Sequence, residues 1–231
     1  MSRLFKLFCG SLILSVVLNS CVKDNSFENG FAPNPNGTNF TGCKSCHYQP
    51  WCTGSAYTFI DSAANGISTT TANLSIIADT TIGTDVYSKT TFAGNLYYHN
   101  CTNDVTTIIM YNVPGAGSST ISRIKNTILR ANSNVGATWS DVNDGGNGVV
   151  TTSNYQIISM GTLRTVLGVD YSDVIQVHQT ISANVPVIGN TNISTGDFYY
   201  AKGIGLIESL TKDPNSGLTI LHRKLESYLI P

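Results

Sequence analysis

The residues best equipped for chemistry are crowded into one short stretch, Cys43-Lys44-Ser45-Cys46-His47-Tyr48-Gln49-Pro50-Trp51-Cys52, with Cys101 further along the chain. Three thiols and an imidazole so close together have four uses. With Cys101 they can close two disulfides, and sequence alone leaves all three connectivities open. As thiolates, Cys43 and Cys46 have the spacing of a zinc-ligand pair, and Cys52 and Cys101, or His47 replacing one of them, could complete a tetrahedral site. Cys43-x-x-Cys46-His47 also spells the attachment motif of c-type haem, for which Met110 or Met160 would have to supply the distal ligand from a strand. The last use is a thioredoxin-like dithiol, which needs a βαβ setting and a helix N-terminus to lower the thiol pKa. No helix is signalled near the cluster, Cys52 follows the haem string at once, and the second cysteine pair lacks the short spacing of a zinc ribbon. Disulfides at Cys43, Cys46, Cys52 and Cys101 are the expected state, with no cofactor. Zinc on the same four cysteines is the alternative, and c-type haem stands behind it.

The compartment weighs on that choice. Arg3 and Lys6 precede an almost wholly apolar run from Leu7 to Leu18, the pattern of a secretory signal. The run ends in Leu18-Asn19-Ser20-Cys21, which resembles a bacterial lipobox: an aliphatic residue, a small residue, then cysteine. Residues 1–20 are read as a lipoprotein signal peptide and Cys21 as the lipidated first residue of the mature chain. In signals of this kind the thiol is diacylated, and two or three acyl chains anchor a protein stably where one would not. Setting aside Cys9 and Cys21 leaves an even four cysteines in an oxidising space, where paired thiols are the rule. The expected location is the cell envelope, lipid-anchored to the outer membrane, on its periplasmic or surface face. The pair Lys23-Asp24 faintly resembles the charged export signals of Bacteroidetes surface lipoproteins and does not choose between the faces.

The segment 21–42 is rich in Asn, Gly and Pro and has no periodicity, so it reads as a flexible tether with a reach on the order of 25 Å. Residues 43–54 form the cysteine-rich segment, and 55–231 the body. The formal net charge of −1 gives no electrostatic case for nucleic acid. Only 12% of residues are charged, while Thr, Ser, Asn and 21 Gly supply the polar surface, a composition suited to strands and turns. Strands are expected at 56–61, 72–79, 85–90, 96–99, 105–111, 155–160, 163–167 and 172–180, with a long bent one over 198–209 and a last pair or single strand over 218–229. The turn at Asp144-Gly145-Gly146-Asn147-Gly148 signals a hairpin. Ile121, Ile124, Ile128 and Leu129 have helical spacing, yet the segment is also Ile-rich and suits extended chain. The fold class is all-β and mostly antiparallel.

Other chemical candidates are bland. His99, His178 and His222 are far apart and read as strand residues. Tyr48 and Trp51 read as local packing. Asp141, Asn143 and Asp144 form an acidic loop that has Thr152 where a calcium loop needs Glu, so it reads as a solvated hairpin. Asp61-Ser62-Ala63 and Asp79-Thr80-Thr81 resemble short O-glycosylation acceptors. No nucleophile-elbow, Walker or zinc-protease string occurs.

Four strings occur in order: Val135-Gly136-Ala137-Thr138-Trp139, Tyr171-Ser172-Asp173-Val174-Ile175-Gln176-Val177, Tyr199-Tyr200-Ala201-Lys202-Gly203-Ile204-Gly205-Leu206-Ile207 and Leu225-Glu226-Ser227-Tyr228. With the cysteine-rich start, they resemble a group of uncharacterised Bacteroidetes lipoproteins. The resemblance implies a single, strongly curved sheet, a half-barrel or open barrel like that of lipoprotein carriers, and favours strand or loop over helix for 121–131. It carries no catalytic residue. The function expected is non-enzymatic, with a hydrophobic ligand or partner protein, itself unidentified, held on a curved sheet. The alternative is a metal- or haem-dependent electron-transfer lipoprotein working through Cys43-x-x-Cys46-His47.

Overall fold

The computed structural model describes residues 43–92, 95–114 and 120–231. Residues 1–20, read as a signal peptide, and 21–42, read as the lipidated tether with Cys21, lie outside the described residues. The described chain is all-β and antiparallel throughout. A two-stranded hairpin comes first, β1 (Cys43–Cys46) with β2 (Gln49–Cys52). An eight-stranded sheet contains β3 (Ala56–Ala63), β4 (Gly66–Asn73), β10 (Thr138–Gly146), β11 (Val149–Val166), β12 (Val169–Val185), β13 (Gly189–Ala201), β14 (Gly205–Lys212) and β15 (Thr219–Leu229). Its order is β10-β11-β12-β13-β14-β15-β3-β4. A five-stranded sheet runs in sequence order through β5 (Ser75–Ile82), β6 (Asp85–Phe92), β7 (Asn95–Thr102), β8 (Val105–Pro114) and β9 (Thr120–Arg130). The all-β, antiparallel expectation holds, but the strands divide between two larger sheets, neither closed into a barrel.

Local chemistry accounts for two of the hairpin turns. Asn103 and Asp104 take φ of 51° and 57° between β7 and β8, and Asn147 and Gly148 take 53° and 75° between β10 and β11. Positive φ at both central residues is the twist-matched hairpin turn that Asn, Asp and Gly tolerate best. The segment 121–131, with its helical spacing, is strand β9 but for its last residue. Its register against β8 runs from Val105↔Arg130 to Pro114↔Thr120, and ladder pairing outweighs periodicity there.

Two expected strands are each cut in two. The segment 72–79 is broken at Leu74, whose N–H donates to the Ser55 carbonyl and whose carbonyl accepts from Gly54, so the chain leaves one sheet here and enters the other. The segment 198–209 is the hairpin β13–β14. Gly203 and Gly205 sit at φ of 75° and 108°, which reverses the chain rather than bending a continuous strand. Conversely, 155–160 and 163–167 merge into β11, with register shifts at Ile157/Ser159, Ser159/Thr162 and Thr162/Arg164. Such bulges bend and twist a long strand.

Two cores follow from the period of two. On β12, Val174 and Ile175 are adjacent and fully buried, yet belong to different clusters. Successive side chains point to opposite faces, so this part of the sheet is covered on both. One cluster gathers Tyr57, Phe59, Val174, Ile207 and Leu225; the other gathers Tyr48, Leu129, Trp139, Tyr155, Ile157 and Tyr200.

Candidate functional site

The β1–β2 hairpin bridges the two larger sheets, and a cavity lies behind it. Cys46 is disulfide-bonded to Cys101 of β7, with Cα atoms 5.7 Å apart and a sequence separation of 55. Cys52 is also disulfide-bonded, and the residue facing it across the hairpin ladder is Cys43. The hairpin turn adds polar ties on both sides. His47 Nδ1 lies 2.9 Å from the Asp104 carboxylate, at the β7–β8 turn. On the opposite side the Gly203 N–H donates to the His47 carbonyl at 2.6 Å, and the Tyr48 hydroxyl donates to Asp173 at 2.6 Å. Burial and that carboxylate push the Tyr48 hydroxyl well above its usual range, so it stays protonated as the donor.

Alternation then sets the cavity wall. Gln49 and Trp51 fall on one face of β2, and Tyr97, His99 and Cys101 on one face of β7. The disulfide at Cys101 therefore draws the hairpin over the face that carries His99. The Trp51 and His99 rings stack with centroids 3.5 Å apart. Together with Tyr57, Phe59, Ile108, Ile128, Tyr200, Leu206 and Arg223 these residues line a cavity of about 200 Å³. An apolar cavity of roughly 150 Å³ is enough to hold benzene, so this one accommodates a substituted ring or a short acyl segment.

Its polar groups are few and specific. Arg223 is held by Asp61 in a two-point pair, Nε–Oδ1 at 2.8 Å and Nη2–Oδ2 at 2.7 Å, and its guanidinium lies 5.1 Å from the Phe59 ring centroid. The Arg223 bonds hold the Asp61 carboxyl below its ordinary range. The cation is thereby neutralised before any ligand meets it. His99 is 4% exposed, and neither ring nitrogen has a hydrogen-bond partner among the described residues. Burial lowers its pKa to about 3, so the imidazole is neutral at physiological pH. The Gln49 Oε1 oxygen is likewise buried without a partner among the described residues.

The cysteine readings are narrowed by this geometry. Cys46, Cys101 and Asp104 have donor atoms within 4.8 Å of one another, a spacing a metal could use. With Cys46 and Cys101 joined as a disulfide, neither sulfur is a thiolate, and thiolates are what zinc and haem attachment require. Those readings apply to the reduced chain. The other candidates serve the scaffold. His178 meets Asp197 at 3.0 Å and His222 meets Glu208 at 2.7 Å, both away from the cavity. Asp141 and Asn143 are not in a solvated loop: they lie on β10 and accept from the β9 backbone at Thr127 and Lys125.

His99, Gln49 and Arg223 were not visible as site residues in the sequence. The usable signal was the alternation Tyr97, His99, Cys101: a cysteine clamped from above fixes which face of β7 turns inward.

No family model matches the chain, and no curated protein matches it. In fold it is similar to a protein from Parabacteroides distasonis described as a lipoprotein, with 13% identity and a TM-score of 0.50 over 80% of this chain and 100% of that one. An exported protein of YmcC-like fold from Bacteroides fragilis aligns with 12% identity and a TM-score of 0.49, again over 80% of this chain and 100% of that chain. At 13% identity the likeness is one of fold.

Proposed function

We propose that this chain is a lipid-anchored protein of the outer membrane that holds a small apolar ligand between its sheets and catalyses no reaction. The observation that carries this reading is the cavity behind the clamped hairpin, walled by Trp51, Tyr57, Phe59, Tyr97 and Tyr200. A binding site of this kind is mostly apolar, with a few placed polar groups. Among the described residues its lining includes no Ser, Thr, Cys, Lys or carboxylate to act as nucleophile or strong base, and the cation there, Arg223, is held by Asp61. The anchor comes from the lipobox-like string ending at Cys21.

Two experiments test the two halves. Toluene titrated into the mature full-length chain should saturate a single site, and Ile128→Trp, which fills the cavity, should abolish binding while the chain stays folded. Absence of saturable binding by the unsubstituted chain contradicts the ligand reading. For the anchor, Cys21→Ser should move the protein from the membrane to the soluble fraction. Continued sedimentation with membranes would contradict it.

A further inference from the structure

The unpaired polar atoms in the cavity wall narrow the ligand further. The neutral imidazole of His99 presents one N–H donor and one bare nitrogen acceptor, and Gln49 Oε1 presents a second acceptor. All three groups are buried, and an unmade hydrogen bond in such a place is costly. The wall thus holds two acceptors that no described residue satisfies, and a ligand that satisfies them must bring a donor. Ketones, esters and carboxylates bring none. A carboxylate fails on charge as well: Arg223 is already engaged by two bonds to Asp61, so no free cation repays the dehydration of an anion. The rest of the wall is aromatic or aliphatic, and the stacked Trp51–His99 pair offers a flat surface beside the imidazole edge.

We infer that the cavity selects a small neutral hydroxyl compound with a ring-sized apolar body, a phenol or a compact alcohol, whose O–H donates to Gln49 while its oxygen accepts from the His99 N–H, or whose O–H donates to the bare His99 nitrogen. This rests on the ligand-holding reading above and adds the chemical class. His99 is the specificity-determining residue: it gives little affinity for hydrocarbon but rejects compounds that leave its edge unpaired. No bond is made or broken, so the hydroxyl compound is cargo or signal.

The test compares three probes that share one ring and methyl group: toluene, 4-methylphenol and 4-methylbenzoate. Each is titrated into the full-length mature chain labelled with 15N-tryptophan. The chain has two tryptophans, so the Trp51 indole reports the cavity and the Trp139 indole serves as an internal control. The expected order is 4-methylphenol tightest, toluene at least tenfold weaker and 4-methylbenzoate weakest. In His99→Leu the preference for 4-methylphenol over toluene should fall to within threefold, with toluene still bound. In the unsubstituted chain labelled with 15N-histidine, 4-methylphenol should shift the His99 ring nitrogens and toluene should not, a readout that holds even if His99→Leu does not fold. Toluene binding as tightly as 4-methylphenol would overturn the hydroxyl assignment and leave the apolar cavity standing. The carboxylate binding best would overturn the neutral assignment. If no probe moves the Trp51 indole, both the assignment and the ligand-holding reading fail.

Discussion

Two of the joins between the larger sheets are made differently. Where β9 meets β10 the join is made by packing and hydrogen bonds. Trp139 donates from Nε1 to the Thr127 carbonyl at 2.6 Å, stacks on Tyr155 with centroids 5.3 Å apart, and has the Arg130 guanidinium 5.5 Å from its ring. Asp141 and Asn143 receive the N–H groups of Thr127 and Lys125, so side chains take the place of a missing strand. Where the hairpin crosses between the sheets the join is a disulfide, a few polar ties at the turn, and a cavity. A filled seam is held by contact and hydrogen bonding alone. A seam that keeps a space open forgoes that dispersion energy, and here a covalent bond to β7 supplies the constraint instead.

The contrast can be broken in several ways, beginning with the largest effect. Trp139→Ala removes the centre of the filled seam and should cost about 3–5 kcal/mol in a denaturant titration. Leu206→Ala in the cavity wall should cost about 2 kcal/mol, the low end for such a truncation, because that side chain already faces open space. Equal costs at the two sites would mean the cavity collapses in solution.

Replacing the clamp in Cys46→Ala/Cys101→Ala should lower stability by about 4 kcal/mol, as expected for closing a loop of this length. The mass of the unsubstituted chain should show Cys46–Cys101 on non-reducing peptide mapping, with Cys52 joined to Cys43, its partner in the ladder. A Cys43–Cys46 peptide would contradict the register of the hairpin.

The next effect is pH-dependent. The pKa of His99 is lowered by burial from an ordinary 6.5 to about 3, so the unfolded chain takes up a proton that the folded chain refuses. The stabilisation is complete above pH 6.5 and falls by about 1.4 kcal/mol per unit as pH drops towards 3. Urea titrations at pH 7 and pH 5.5 should show that loss in the native chain and lack it in His99→Leu. Asp61 adds a steeper decline at lower pH. Its pKa is depressed by Arg223, so its contribution is present above the ordinary carboxylate range and disappears as pH falls through the folded value. The smallest effect is at the filled seam: Asp141→Ala leaves the Thr127 N–H without its acceptor and should cost about 1 kcal/mol. A larger loss than from the clamp variant would reverse the assigned roles of the two seams.

The sequence made some of this readable and hid the rest for definite reasons. The all-β class was legible in the Thr- and Asn-rich alternation and in turns such as Asn147-Gly148. The disulfide between Cys46 and Cys101 agrees with the oxidising space that the signal-like leader implies. Strand 121–131 was ambiguous because its isoleucines fit two periods, and only pairing with β8 decided between them. The division into two sheets was hidden at Leu74, where an ordinary-looking apolar run changes sheet through two backbone bonds to Gly54 and Ser55. The site was hidden because its members come from β2, β3, β7, β8, β9, β13, β14 and β15, and a lone histidine has no local signature of burial. Trp51 read as packing, and it does pack; what it packs against is His99.

The most direct measurement is the affinity of toluene for the disulfide-intact chain and for Cys46→Ala/Cys101→Ala, read at the Trp51 indole. If the clamped hairpin is the wall of a ligand cavity, the variant should remain folded and bind at least tenfold more weakly. Equal affinity in the two proteins would show that the disulfide holds the hairpin for some purpose unrelated to the cavity behind it.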